Sequence, residues 1–213
     1  MKIGVIGAGF VGQAVGRLAL RAGHEAMLSN SRGPQSLFSV AAAIGCAIGT
    51  AEQAAAFGDI VVVAVPLSAY RAIPAAPLAG KIVIDTDNYY PERDGRIAEL
   101  DRKETTTSEL LARRLPASRV VKAFNAIRMT ELERDSRPAG APDRRALPIA
   151  GDDPDAKAIV TRLQGEFGYD TVDVGPLSEG WRFQRGTPVY CVPLGRDELE
   201  RRLAATAREA VPA

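Results

Sequence analysis

Gly7, Gly9 and Gly12 stand directly behind the apolar run 3–6 in the segment KIGVIGAGFVG (residues 2–12) and form a G-x-G-x-x-G. That spacing does its chemistry through the backbone. Gly7 lets the chain turn sharply out of a strand, Gly9 leaves the main chain open to a pyrophosphate, and Gly12 lets a helix pack against the strand. About twenty residues on, where a site for an unphosphorylated adenosine ribose places a carboxylate, the chain has Asn30, Ser31 and Arg32. No Asp or Glu lies between Ala26 and Ala51. A hydroxyl and a planar cationic fork, with Ser36 as a further donor, suit a phosphate dianion, which a carboxylate would repel. The expected cofactor is therefore NADP(H) rather than NAD(H). Its pyrophosphate is expected at Gly7, Ala8, Gly9, Phe10, Val11 and Gly12, and its 2′-phosphate at Asn30, Ser31 and Arg32.

The surrounding pattern supplies the elements that would position these groups. A helix is expected over 10–22, with Val11, Ala14, Val15, Leu18, Ala19 and Ala22 at helical spacing, so that its first N–H groups face the pyrophosphate. A strand over 24–28 ends at the ribose. Then follow a helix over 35–44, a strand over 46–48 and a helix from Thr50, where Thr50 and Gln53 form a capping box. The strand expected over 59–65 is apolar almost throughout, as a central strand covered on both faces requires, and it runs into Ala64, Val65 and Pro66. Ligands of parallel sheets lie outside the carboxyl ends of the strands, so this turn should border the nicotinamide half. A strand over 81–85 leads into the polar and aromatic segment 87–91. A second capping box, Thr106 and Glu109, opens a helix to about Leu115, and a strand over 119–124 ends in Lys122, Ala123, Phe124 and Asn125.

Beyond residue 128 the pattern changes. Residues 136–145 are rich in Pro, Gly, Asp and Arg without apolar period and are expected to be a mobile loop or linker. A strand over 146–150, a helix capped by Asp153 with Pro154 at its first position and ending near Phe167, a strand over 171–174 and a charged helix over 198–210 complete the chain. The expected architecture is α/β: a Rossmann-type, doubly wound, mostly parallel sheet over 1–128, carrying a small C-terminal α/β extension over 129–213.

Other chemistry is sparse. No triad, metal-ligand cluster or carboxylate pair is evident, and the only histidine, His24, falls at the wrong end of its strand and is read as structural. Tyr89, Tyr90 and Lys122 are the candidate proton donors. Each has a plainer reading, the tyrosines as packing around a loop and the lysine as a strand-end surface charge. Cys46 and Cys191 are read as buried thiols. Trp181, Arg182, Phe183 and Tyr190 cap an acceptor pocket, attach the extension to the core, or form a dimer interface. With 213 residues, a net charge of +1 and no apolar run near membrane-spanning length, neither nucleic acid nor membrane is an expected partner. Residue 1 opens the first strand at once, so a cytoplasmic protein without a cleaved leader is expected, and its size suggests a homodimer.

A resemblance joins these motifs. KIGVIGAGFVG, SNSRG, the AVP at 64–66, VIDTDNYYPERDG at 83–95, TTTSELLARRLP at 106–116 with KAFN at 122–125, and AGDD at 150–153 resemble, in that order, the NADP oxidoreductases that reduce the deazaflavin coenzyme F-420. The pattern is also similar to the cytoplasmic domain of metalloreductases that pass electrons from NADPH to flavin, and more distantly to pyrroline-5-carboxylate reductase. The resemblance implies that residues 8–12 hold pyrophosphate and that Ser31 and Arg32 hold the 2′-phosphate. It further implies that Val65 and Pro66 flank the ribose and nicotinamide, and that residues 123–125, Ala123 to Asn125, line the hydride-transfer face; Ala64 and Asn88 are expected among the cofactor-binding residues. The family tends to carry another basic residue where this chain has Ser36.

The activity this implies is hydride transfer between NADPH and a small-molecule redox acceptor, either deazaflavin F-420 or FMN or FAD. Such a reaction is mainly a matter of stacking two rings, which fits the lack of acids and bases. Reduction of a small imine or carbonyl, and NADPH binding without turnover as a sensor, are the alternatives.

Overall fold

The computed structural model of the chain describes residues 1–208. Its strands are β1 (Lys2–Ile6), β2 (Glu25–Ser29), β3 (Ala47–Gly49), β4 (Ile60–Val63), β5 (Ile82–Asp85), β6 (Arg119–Lys122), β7 (Ala146–Gly151) and β8 (Asp170–Asp173). Its helices are α1 (Phe10–Arg21), α2 (Phe38–Ile44), α3 (Ala51–Phe57), α4 (Pro91–Asp94), α5 (Ala98–Asp101), α6 (Thr107–Arg114), α7 (Pro154–Glu166) and α8 (Arg196–Ala205). All eight strands join one sheet in the order β3-β2-β1-β4-β5-β6-β7-β8. The first six are parallel, β7 pairs antiparallel to β6 through Val121↔Gly151 and Lys122↔Ala150, and β8 is parallel to β7. The fold is α/β with a mostly parallel sheet of Rossmann-like order.

The continuous apolar run of β4 follows from its place: every residue of it is buried, because helices cover both faces of the sheet. On one face Val15 and Leu18 of α1 and Val160 and Leu163 of α7 pack with Ile3, Val5, Leu28, Val62 and Ile84. On the other, Ala55 of α3 and Leu111 of α6 pack with Ile6, Val61, Val63 and Val83. The sheet and the first of these clusters both run across residue 128 without a break. A smaller cluster under α8 joins Leu199 and Leu203 to Val172 and Phe183.

The caps lie where the sequence places them. Thr50 Oγ1 accepts from Gln53 N and Gln53 Oε1 from Thr50 N, at 3.2 and 2.9 Å. Thr106 and Glu109 repeat the exchange at 3.2 and 2.7 Å, and Asp153 accepts from Ala156 N at 2.7 Å.

Several elements differ from expectation. The first half of the 35–44 helix is a 3-10 turn, Pro34–Leu37. The strands expected over 59–65 and 119–124 stop at Val63 and Lys122; the second ends where Phe124 turns out with φ of +58°. The terminal helix ends at Ala205, residues 206–208 are not helical, and 209–210 lie outside the described residues. The segment 136–145 is not a bare linker, for its last two arginines are buried. Arg144 binds Asp170 Oδ1 and the Tyr169 carbonyl, both at 2.8 Å, and Arg145 binds Glu131 and Asp135 at 2.8 and 3.1 Å. Burial requires each cation to be paired, and these pairs tie the segment to β8 and to residues 131–135. Among the described residues no helix is long and apolar enough to cross a membrane.

Candidate functional site

The strand order reverses between β1 and β4, and at such a switch point the loops leaving the two carboxyl ends diverge and open a crevice. Gly7 and Ala64 lie there, each one residue past its strand. Gly7 has φ of +109°, and a Cβ on it would sit 2.2 Å from the Ala64 carbonyl oxygen, so only glycine lets the two loops pass. A Cβ on Gly12 would sit 1.9 Å from the Gly7 carbonyl oxygen, which sets how closely α1 approaches the loop. Gly9 is different: a Cβ there would meet nothing within 4 Å. It is the N-cap of α1, and no side chain caps that end. An open cradle beneath uncapped helix N–H groups fits a pyrophosphate, which is the test of the cofactor that the protein atoms themselves supply.

Two cavities meet over this loop. The first, about 480 Å³, runs from Gly7, Ala8 and Gly9 to Asn30, Ser31 and Arg32. The second, about 710 Å³, lies on the other side of Gly9 and Ala64, Val65 and Pro66, which line both. Its walls include Phe10, Val11, Asn88 and Asn125. The structure thus strings thirteen of the fifteen sequence-identified residues along one continuous crevice. Gly12 is beneath the loop, and Ala123 is wholly buried in the core, lining neither cavity; of the expected range 123–125, Phe124 and Asn125 are in the wall.

At the far end of the first cavity Asn30 orders the turn. Its Oδ1 accepts the Arg32 N–H at 3.0 Å and its Nδ2 donates to Ser36 Oγ at 2.8 Å, while Ser36 Oγ donates to the Gly33 carbonyl at 2.7 Å. Ser36 is therefore a brace within the turn rather than a free donor. Ser31 and Arg32 are exposed, and among the described residues nothing pairs with the Arg32 guanidinium.

The second cavity is closed by groups from both ends of the chain. Asn88 Nδ2 donates to the Asn125 carbonyl at 3.0 Å, and Asn125 Nδ2 donates to Asn88 Oδ1 and the Phe183 carbonyl at 3.1 and 3.0 Å. Tyr90 and Tyr190 join hydroxyl to hydroxyl at 2.6 Å, and the Arg93 and Arg185 guanidiniums each lie 4.7 Å from the centre of the Tyr90 ring. Burial and the Tyr90 hydroxyl push the Tyr190 phenol well up from its ordinary value. Phe10 and Met129, 70% and 48% exposed, form an apolar rim.

Three readings of single side chains change. Lys122 is not a surface charge: it is fully buried at the end of β6 and donates to the Asp87 carbonyl, Thr107 Oγ1 and Ser108 Oγ at 3.0, 2.9 and 3.3 Å. The long apolar stem that buries it lies against Gly180, in a 3-10 turn over Leu177–Phe183 that has no period to announce it. Cys46 and Cys191 are half-buried rather than buried, and Cys191, with φ of +59°, lines the second cavity. Tyr89 faces away from that cavity and donates to Asp101 at 2.9 Å. His24 pairs with Glu166 at 2.8 Å, remote from the crevice.

Sequence reasoning missed Asp85 and Asp87. Asp85 Oδ1 accepts the Asp87 N–H at 2.9 Å, its Oδ2 accepts from Ser108 Oγ at 2.5 Å, and Lys122 Nζ lies 3.9 Å away. Asp87, 4% exposed, lines the second cavity, and its Oδ2 has no partner. Burial first, and then the Asp85 charge, push its carboxyl well above the usual range, against the pull of Lys122, the Val65 N–H and Arg93. Burial likewise lowers the Lys122 ammonium. The D-x-D spacing in VIDTDN is the signal that could have drawn attention to this pair.

A Rossmann-like sheet, a glycine loop at the switch point and a cationic turn after β2 in place of a carboxylate define an NADP-binding oxidoreductase. Residues 2–89, which carry the glycine loop, the turn after β2 and the strands β1 to β5, match the sequence model of the family described as NADP oxidoreductase, coenzyme F420-dependent. A solved hypothetical protein of Sinorhizobium meliloti is similar at 30% identity over 92% of this chain and 96% of that one, with a TM-score of 0.79. A proposed F420-dependent NADP reductase of Arthrobacter sp. FB24 is similar at 25% identity over 84% and 87% of the two chains, with a TM-score of 0.72. The metalloreductase STEAP3 of Rattus norvegicus is 27% identical over 194 residues; the match takes in 90% of this chain but 37% of the length of that relative.

Proposed function

We propose that this protein transfers hydride between NADPH and a flat, flavin-like acceptor, with deazaflavin F-420, FMN and FAD as the acceptor class. The observation that carries the reading is the continuity of the two cavities across Gly9 and residues 64–66. A dinucleotide whose 2′-phosphate meets Ser31 and Arg32 and whose pyrophosphate meets the Gly9 cradle leads its nicotinamide into the second cavity. At about 710 Å³ that cavity falls within the range of small-molecule sites, roughly 300–1,000 Å³, and exceeds what one pyridine ring fills. The apolar rim of Phe10 and Met129 suits a second ring.

Bound there, NADPH supplies the hydride. The chain's own part is to hold the two rings in contact and keep water out: the Asn88–Asn125 pair fixes the far wall, and residues 64–66 fix the near one. A second reading, reduction of a small imine or carbonyl, is favoured by the Tyr90–Tyr190 hydroxyl pair in the same cavity, since such a substrate needs a proton donor.

Stopped-flow absorbance of NADPH consumption with F-420, FMN, FAD, and a panel of imines and carbonyls in parallel tests both. Saturable oxidation by the flavin-like acceptors supports the first reading. Oxidation by imines or carbonyls alone replaces it with the second, and tight binding without oxidation overturns both.

A further inference from the structure

Arg128 stands in the wall of the second cavity, which also carries the apolar rim of Phe10 and Met129. Its side chain is 69% exposed, and among the described residues the only carboxylate within reach of it is Glu131, at 4.0 Å. That carboxylate is committed elsewhere: Oε2 takes the buried Arg145 guanidinium at 2.8 Å, and Oε1 lies 3.4 Å from Arg134. Among the described residues the Arg128 guanidinium makes no hydrogen bond. The other cation of this wall is in the opposite state. Arg93 grips Asp94 with Nε and Nη2, both at 2.8 Å, and donates to the Asn88 carbonyl at 3.1 Å. The wall's one acid, Asp87, is buried. A guanidinium whose donors are unused at the mouth of a cavity keeps its charge for a ligand.

The dinucleotide does not need this cation. On the proposed reading its 2′-phosphate meets Ser31 and Arg32 in the first cavity and its pyrophosphate meets the Gly9 cradle, so each of its phosphates is already provided for. Beside the nicotinamide there remain room, an apolar rim and one unengaged positive charge, which together suit a flat ring with an anionic tail. We infer that the acceptor is a flavin-like ring bearing a phosphate, its ring against Phe10 and Met129 and its phosphate held by Arg128, with the Thr130 hydroxyl as a second donor. Thr130 is exposed in the same wall, and among the described residues its hydroxyl makes no hydrogen bond. The planar fork of an arginine takes two phosphate oxygens at once. The inference rests on the reading of the crevice as an NADP(H) and acceptor site, and adds that phosphorylated acceptors are selected over neutral ones with the same ring.

The test uses matched acceptors that differ in the anionic tail alone: FMN with riboflavin, and F-420 with its deazaflavin riboside. The kcat/KM of NADPH oxidation is measured for each at low and moderate salt, with the full chain as wild type and as Arg128→Gln, a substitution that an exposed position tolerates without loss of the fold. In the wild type the phosphate-bearing member of a pair should be favoured roughly 10- to 100-fold, through KM rather than kcat, and the preference should shrink as salt rises. In Arg128→Gln the KM of the phosphate-bearing acceptor should rise toward that of the neutral one, and the salt dependence should fade with it. Arg128→Lys, which keeps the charge but loses the fork, should fall between the two.

The outcomes that overturn the inference are distinguishable from one another. If the neutral acceptors are reduced as well as the phosphorylated ones, the hydride-transfer reading stands and Arg128 is a solvated surface charge. A preference that survives Arg128→Gln places the phosphate on other residues. NADPH titrated without an acceptor supplies the third check: a loss of its affinity in Arg128→Gln as large as the rise in acceptor KM would give the guanidinium to the dinucleotide. If no member of either pair oxidises NADPH, the reading of the crevice falls and the inference falls with it.

Discussion

Lys122 Nζ donates to the backbone carbonyl of Asp87 across 3.0 Å, so the last side chain of β6 holds the loop that leaves β5. Its other two protons go to Thr107 and Ser108 at the start of α6, and all three donors are used in a fully buried place. The lysine is thus a joint among three elements around the second cavity. Lys122→Met keeps the apolar stem but leaves the loop carbonyl and both hydroxyls without their donor and Asp85 without its nearest cation. Removing one partner of a buried ion pair costs roughly 3 kcal/mol or more. Urea unfolding should register a loss of that order, and a midpoint within error of the wild type would contradict the role given to Lys122.

Asp87 makes stability depend on pH in a direction opposite to that of a salt-bridged carboxylate. Its folded-state pKa is raised by burial and by Asp85, so the native state holds a proton that the unfolded chain has released. The stabilising contribution is complete below the unfolded carboxylate value, about 4, and is lost as the pH rises from there through the folded-state value. Asp87→Asn removes this loss. The melting temperature of the variant relative to wild type should therefore climb from pH 4 upward, level off once Asp87 has titrated, and show no such climb if Asp87 is ionised throughout.

Gly9 and Gly12 separate binding from folding. At Gly9 φ is −74°, which any residue adopts, and a side chain meets no protein atom. Serine is a better N-cap than most residues, so Gly9→Ser should leave the melting temperature unchanged or slightly higher while its side chain occupies the pyrophosphate cradle. NADPH affinity should fall at least tenfold. Gly12→Ala, which drives a methyl into the Gly7 carbonyl, should lose about 1–3 kcal/mol of stability along with the affinity. Parallel thermal melts and titrations of the two variants make the comparison.

Local signals explain what the sequence makes legible. The glycine loop, the two capping boxes and the buried strand β4 are each set by residues within a few positions of one another, and each is in place. The Lys122 environment depends on α6 and Gly180, distant in sequence, so a polar residue at a strand end reads as exposed when it is not. The same holds for Arg144 and Arg145, whose partners Asp170 and Glu131 lie elsewhere in the chain. The short helices α4 and α5, four residues each, are too brief to carry a period. The importance of Asp87 lies in a missing partner, which only the packed structure reveals.

Arg32 follows β2 on a turn ordered by Asn30, and among the described residues its guanidinium binds nothing, while Ser36 is already engaged with Gly33. On the proposed reading of the crevice, discrimination between the two nicotinamide cofactors is expected to fall on Arg32 and Ser31. A charge-assisted bidentate contact to phosphate accounts for roughly 10- to 100-fold in affinity. Arg32→Ala should weaken NADPH binding by that factor and leave NADH binding nearly unchanged, with the salt sensitivity of NADPH binding reduced as well. Fluorescence titration of both nucleotides at low and moderate salt reads all three quantities. Equal losses for NADPH and NADH would place the 2′-phosphate elsewhere.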